Sequence, residues 1–81
     1  MNVYQAIETR YVGPTNHRGS RVIATTPSGH RHVHHWDYRL GLEANHYEAA
    51  KALQATLDWP EIKAGGSTKA GFVWLTSTLE G

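Results

Sequence analysis

Apolar and polar residues alternate from Val3 to Val12, with Val3, Ile7, Thr9 and Tyr11 set against Tyr4, Ala6, Glu8, Arg10 and Val12. That period of two predicts a first strand. Gly13-Pro14-Thr15-Asn16-His17-Arg18-Gly19-Ser20 interrupts it with a run of turn formers, which predicts a loop. Arg21 to Thr26 reads as a second strand and His30 to Tyr38 as a third. Between them Pro27-Ser28-Gly29 suits a three-residue hairpin turn, because proline presets its own φ and glycine takes the left-handed position.

This turn fixes a register. Thr25 faces Arg31, Ile23 faces Val33 and Arg21 faces His35 on one side of the ribbon. Val22 and Ala24 share the other side with His34 and His32, and Trp36 and Tyr38 follow. Burying Trp36 and Tyr38 removes more apolar area than burying Val33, so the Trp36 side is predicted to point inward. A slip of one residue would exchange the two faces.

A single helix is predicted beyond Arg39–Glu43. Asn45 and Glu48 have the spacing of a capping box, with Asn45 as the N-cap. Ala50, Leu53 and Leu57 then recur at helical spacing with Ala49 and Ala52 beside them, and Pro60 closes the helix. Glu61–Ala64 and Gly71–Thr76 read as two last strands, joined by a flexible loop from Gly65 to Ala70. Phe72-Val73-Trp74-Leu75 is apolar on both faces, which suits an interior strand.

Residues 1–81 are therefore expected to form a single α+β domain of order β-β-β-α-β-β. Its antiparallel β-sheet would carry one helix packed on one face, over a core of Val22, Ala24, Trp36, Ala50, Leu53, Leu57, Phe72 and Trp74. A chain of 81 residues has room for one core only. The sequence has no cysteine, which removes disulfides, thiolate metal sites and a cysteine nucleophile. Its N-terminus lacks the apolar run of a signal peptide and no stretch is long enough to span a bilayer. The expected location is the cytoplasm of a host cell, with no membrane partner.

Charge adds a second pattern. All five arginines (Arg10, Arg18, Arg21, Arg31, Arg39) lie in the first forty residues and all three lysines (Lys51, Lys63, Lys69) lie in the rest. The front half carries about +3 and the back half about −2, for a net charge of +1. That balance suits neither a strongly basic DNA-coating protein nor an acidic mimic of DNA. Arginine favours planar, bidentate contacts while lysine is mostly a solvated point charge. The front half thus reads as a contact surface and the back half as scaffold.

That surface admits several chemistries. His30, His32 and His34 alternate along one strand and would share a face, within reach of one transition-metal ion. They lack a third or fourth ligand of another kind, since Asp37 falls on the other face, so half-buried, hydrogen-bonded strand histidines are expected and no metal. The same imidazoles, buried near arginines, also suit a pH switch. The Thr15–Arg21 loop is a candidate anion site, although it lacks the ending of a P-loop and no helix follows it. Ser20, Ser28, Ser67, Ser77 and His46 have no motif context for catalysis. No catalytic residue and no cofactor are expected.

Thr9-Arg10-Tyr11-Val12-Gly13-Pro14-Thr15-Asn16-His17-Arg18-Gly19-Ser20-Arg21-Val22 resembles the opening of small uncharacterised phage, plasmid and other mobile-element proteins. The resemblance continues weakly through Trp36-Asp37-Tyr38, the stretch Asn45–Leu53 and the glycine-containing segment before Phe72. The histidine cluster departs from it. It carries no catalytic residues. It implies an accessory protein that binds and blocks a host protein or nucleoprotein machine, anti-CRISPR proteins being one example.

The expected partner-binding residues are Arg18, Arg21, Ile23, Arg31, Val33 and His35, with Ile23 and Val33 as a small apolar centre inside an arginine-bearing rim. The alternative is a nucleic-acid-binding module in which Arg10, Arg21, Arg31 and Arg39 serve the same three-stranded surface. The isolated chain is expected to be a monomer or a weak homodimer through this face.

Overall fold

A computed structural model describes residues 4–78. Val3, placed at the start of the first predicted strand, lies outside the described residues, as do the side chains of Ser77 and Thr78. The elements follow in the order β1 (Tyr4–Val12), β2 (Arg21–Thr25), β3 (Arg31–His35), α1 (Leu42–Thr56), β4 (Ile62–Ser67) and β5 (Gly71–Thr78). All five strands form one antiparallel sheet in the spatial order β3-β2-β1-β5-β4. The α+β architecture and the element order β-β-β-α-β-β are those the pattern predicts.

The hairpin between β2 and β3 shows why. Gly29 has φ of 97°, its N–H donates to Thr26 O at 3.0 Å, and the Thr26 N–H donates to His30 O at 3.0 Å. Pro27-Ser28-Gly29 is thus the predicted three-residue loop, and the pairs Thr25–Arg31, Ile23–Val33 and Arg21–His35 follow from it. Their opposite face holds Val22, Ala24, His32 and His34, with Ile7 and Thr9 alongside on β1 and Phe72 and Trp74 on β5. Helix α1 lies on that face, packed against β1, β2 and β3 and more lightly against β5. The core is Ile7, Val22, Ala24, Ala49, Ala50, Leu53 and Trp74, ringed by Trp36, Leu57, Trp59, Ile62 and Phe72.

Four local expectations are corrected. The third strand ends at His35 rather than Tyr38, and the Trp36 N–H bonds Ser20 O at 3.1 Å as the chain leaves the sheet. Tyr38 is consequently 85% exposed on the following turn instead of facing the core. The helix starts at Leu42 after an N-cap at Gly41 that has no side-chain hydrogen bond. Asn45 therefore sits inside the first turn. Its Nδ2 donates to the carbonyls of Asp37 (3.0 Å), Leu40 (3.2 Å) and Gly41 (3.0 Å), and its Oδ1 accepts the Asp37 N–H at 2.8 Å. The residue that reads as a cap is a buried staple for the segment before the helix.

Fourth, Gly65, Gly66 and Ser67 belong to β4 and not to a flexible loop. The reason is Trp74, whose indole lies over Gly65: a Cβ there would come within 2.5 Å of its Cε3. Glycine lets an edge strand run under a tryptophan. At Gly71 the approach is backbone to backbone, with a hypothetical Cβ 2.1 Å from Thr9 O, so β1 and β5 meet at a residue that cannot carry a side chain.

Two substitutions test this packing. Leu53→Ala should cost about 2–5 kcal/mol, the usual range for emptying a buried leucine site, read as a drop in the denaturant midpoint. A melt like that of the wild type would mean that the helix presents another face. Gly71→Ala should destabilise by at least about 1–3 kcal/mol, because the carbonyl it meets cannot swing aside. Gly66→Ala, where nothing lies within 4 Å, is the matched control, and equal melts for the two would contradict the close approach.

Candidate functional site

With α1 on one face, the other face of the sheet has no helix against it among the described residues. Strand alternation and the registers place its side chains in rows across the strands. One row runs Arg31, Thr25, Glu8, Val73. The next runs Val33, Ile23, Arg10, Gly71, and a third runs His35, Arg21, Val12. Five of the six expected contact residues, Arg21, Ile23, Arg31, Val33 and His35, thus share this open face. Arg18 lies on the β1–β2 loop, at the end of the face marked by Val12 and Arg21.

That loop is ordered by its own polar groups. Thr15 Oγ1 accepts the N–H groups of His17 (3.2 Å) and Arg18 (3.0 Å), and the Thr15 N–H donates to Arg18 O at 2.7 Å. At its far end the Tyr11 and Ser20 hydroxyls share a hydrogen bond of 2.9 Å, and the Tyr11 ring meets Trp36 edge-on at 5.3 Å. A threonine-based turn of this kind holds Arg18 at a fixed place beside the sheet.

Among the described residues Arg39 and Asp37 form the only ion pair. Arg39 Nε donates to Asp37 Oδ1 at 3.0 Å and Nη2 to Oδ2 at 2.9 Å, a two-pronged contact within one turn. These bonds hold the Asp37 carboxyl down at about 2 and push the Arg39 guanidinium up. Arg39 therefore leaves the surface considered for nucleic acid, because its charge is already matched. Arg10, Arg18, Arg21 and Arg31 have no carboxylate partner among the described residues. Arg21 Nη1 donates to Gly19 O at 3.3 Å, while its buried Nε has no acceptor.

The apolar centre is different from its expected form. Ile23 is only 3% exposed although it points to the open face, and Val33 is half-buried. Arg10, expected on this surface only under the nucleic-acid alternative, lies directly beside Ile23 on β1. Its signal was the alternation Glu8, Arg10, Val12, which puts it on the face of Arg21 once β1 is known to pair with β2. What the open face offers outward is chiefly arginine.

The histidines separate. His30 is exposed outside β3, while His32 and His34 are half-buried on the helix side. His34 Nε2 lies 3.2 Å from Asn45 Oδ1. Because Asn45 Nδ2 faces three carbonyls, this oxygen is an acceptor and the His34 proton sits on Nε2. Among the described residues no three His, Cys, Asp or Glu side chains are grouped to hold a metal ion. The histidine that burial governs is His46, 1% exposed, whose Nδ1 lies 2.9 Å from Thr9 Oγ1. That same hydroxyl accepts the Trp74 Nε1–H at 3.0 Å, and Phe72 meets the imidazole edge-on at 4.8 Å.

Two clefts open on the helix side, where α1 leaves β4 uncovered. One, of about 340 Å³, is lined by Glu43, Gly65, Gly66, Ser67, Phe72 and Trp74. The other, of about 410 Å³, lies between Tyr47, Lys51, Gln54, Glu61 and Ile62. Ser67 and Glu43 line the first cleft, and among the described residues no hydrogen bond joins them. Among the described residues no helix is long and apolar enough to cross a membrane. Family models, curated proteins and solved structures were each compared with the chain, and none matches it.

Burial pushes the His46 imidazole below its ordinary value, partly opposed by a hydrogen bond to the Thr9 backbone. The unfolded chain therefore binds a proton that the native state refuses, between the ordinary value of about 6.5 and the lowered native one. This contribution is complete above about pH 6.5 and is lost as pH falls through that window. The melting temperature should drop on acidification from about pH 7 to about pH 5, and His46→Gln should flatten the drop. Equal slopes for the two proteins would exclude His46 as its source.

Proposed function

We propose that the protein is a small accessory factor of a phage or other mobile element that acts by stoichiometric binding to a host machine, and not by catalysis. A host-defence system, such as one that anti-CRISPR proteins inhibit, is the kind of target meant. The observation that carries this reading is the open sheet face: Arg10, Arg21 and Arg31 stand on three adjacent strands and, among the described residues, no carboxylate pairs with them and no helix covers that side. Arginines displayed by a rigid sheet lose little freedom on docking, which is what a tight inhibitory contact requires. The mobile-element setting is supported by the resemblance of the segment Thr9–Val22, which includes the end of β1, the ordered loop and the start of β2.

The clefts beside β4 give a catalytic alternative little support, since among the described residues no hydrogen bond joins Ser67 to Glu43 and no ion pair joins Lys51 to Glu61. A binding face also accommodates the small size of the domain, because it needs no enclosed site.

Affinity capture from host lysate tests the proposal. The wild type should retain a defined host complex at near-equal stoichiometry. Arg21→Glu with Arg31→Glu should lose it, since reversed charge in the contact is repelled or left unpaired. Lys51→Glu, an exposed change on the helix side, should leave capture intact. Both variants should keep a cooperative melt. Capture that survives the double change, or fails equally with the helix-side change, would remove the sheet face from the proposal.

A further inference from the structure

We infer that what the open face meets is the phosphate backbone of duplex nucleic acid, gripped by Arg10, Arg18, Arg21 and Arg31. The inference rests on the binding role proposed above and names the chemistry of the partner, so that the host machine is contacted through its nucleic acid.

The fold leaves most of its arginine charge without a carboxylate. Of the five arginines only Arg39 has a carboxylate among the described residues. The other four have no carboxylate partner among the described residues, although Arg21 Nη1 donates to Gly19 O at 3.3 Å and its Nε is buried. Glu8 is the one acid in their rows. The helix side carries the opposite balance: Glu43, Glu48, Asp58 and Glu61 against Lys51 along α1 and the turn after it. A net charge of +1 therefore hides a molecule with a cationic face and an anionic back. Such a distribution orients an approaching polyanion toward the sheet.

What the face lacks points the same way. Protein contacts draw most of their energy from apolar or aromatic anchors that lose water at the centre of the interface. Here Ile23 is already desolvated within the monomer and adds almost nothing on docking. A duplex backbone asks for cations and asks for no such anchor.

So does the spacing. Neighbouring strands lie about 4.8 Å apart and alternate residues about 6.7 Å apart along a strand. Arg10 and Arg21, one strand and one row apart, are thus separated by roughly 8 Å at their backbones, and Arg10 and Arg31 by roughly 12 Å. Duplex DNA carries a charge for about every 1.7 Å of its axis, so arms at these intervals reach several phosphates at once. A single strand is the poorer fit. Its bases need aromatic platforms, whereas the centre of this face holds Thr25, Ile23, Val33 and Val12.

Fluorescence anisotropy with the whole protein decides the matter, using a short labelled duplex and a single strand of equal length. Three to four phosphate contacts give a slope of about −3 in log affinity against log salt. Duplex binding should then weaken roughly 40- to 150-fold between about 50 and 200 mM salt. Arg21→Gln with Arg31→Gln should make the slope shallower by about 2. Should that pair lose its cooperative melt, Arg10→Gln with Arg18→Gln, both exposed, gives the same reading. The inference is overturned by no duplex binding at low salt, by tighter binding of the single strand, or by a slope unchanged in the glutamine variants. If duplex binding is absent while host capture still depends on Arg21 and Arg31 and survives nuclease, the partner surface is protein and the binding role stands. If both tests fail, both readings fall.

Discussion

Two consecutive polar side chains at the start of the helix, Asn45 and His46, carry the junction between helix and sheet. Both are buried, so each must find its hydrogen bonds inside the protein. Asn45 spends its amide on the segment from Asp37 to Gly41 and on His34 of β3. His46 meets Thr9 of β1, whose hydroxyl also receives Trp74 of β5. One turn of helix is thereby joined to three strands and to the loop that leads into it. Since hydrogen bonds are directional and unmade ones are costly in a low-dielectric core, these bonds fix how the helix crosses the sheet. The alanines behind them, Ala49 and Ala50, then allow a close seat without specifying one.

That arrangement commits the helix to one face and leaves the other to the arginines. Position on the sheet, and not total charge, decides what the front half of the chain can contact. Asp37 has a separate role here: by taking Arg39 it removes a fifth cation from circulation and stiffens the turn that Asn45 holds from below. The basic surface is therefore narrower than the arginine count suggests and consists of groups fixed by strand register and by the Thr15 turn.

Much of this was legible in the residues. Pro27-Ser28-Gly29 allows few turn geometries, and a three-residue turn dictates the pairing of the strands it joins, so one face of the β2–β3 ribbon could be written down in advance. The Leu53 stripe and the interior strand around Trp74 were equally plain from periodicity. Other features depend on partners remote in sequence. Nothing local tells that β1 pairs with β5, so the core role of Ile7 beside Trp74 could not be seen. Asn45 misled because an amide before an alanine-rich run has the chemistry of a cap, and the same amide serves as well when turned inward. Gly65 read as loop because its reason for being glycine is Trp74, which acts from the neighbouring strand. Arg39 looked available because an ion pair two residues apart leaves no periodic trace.

The central place of β1 governs the order in which the fold can be completed. Its two neighbours are β2, next along the chain, and β5, more than sixty residues away. While the chain is being made, the hairpins and helix can assemble as soon as they leave the ribosome, but one edge of the middle strand stays unpaired until Gly71–Thr78 arrives. The same strand supplies Thr9 to His46 and Trp74, so the buried polar junction also closes at that moment. Loop closure over such a distance is slow relative to local pairing, and an open middle strand is the kind of edge on which nascent chains associate. The interval between synthesis of the helix and docking of β5 is thus the period in which this small domain is most exposed to misassembly.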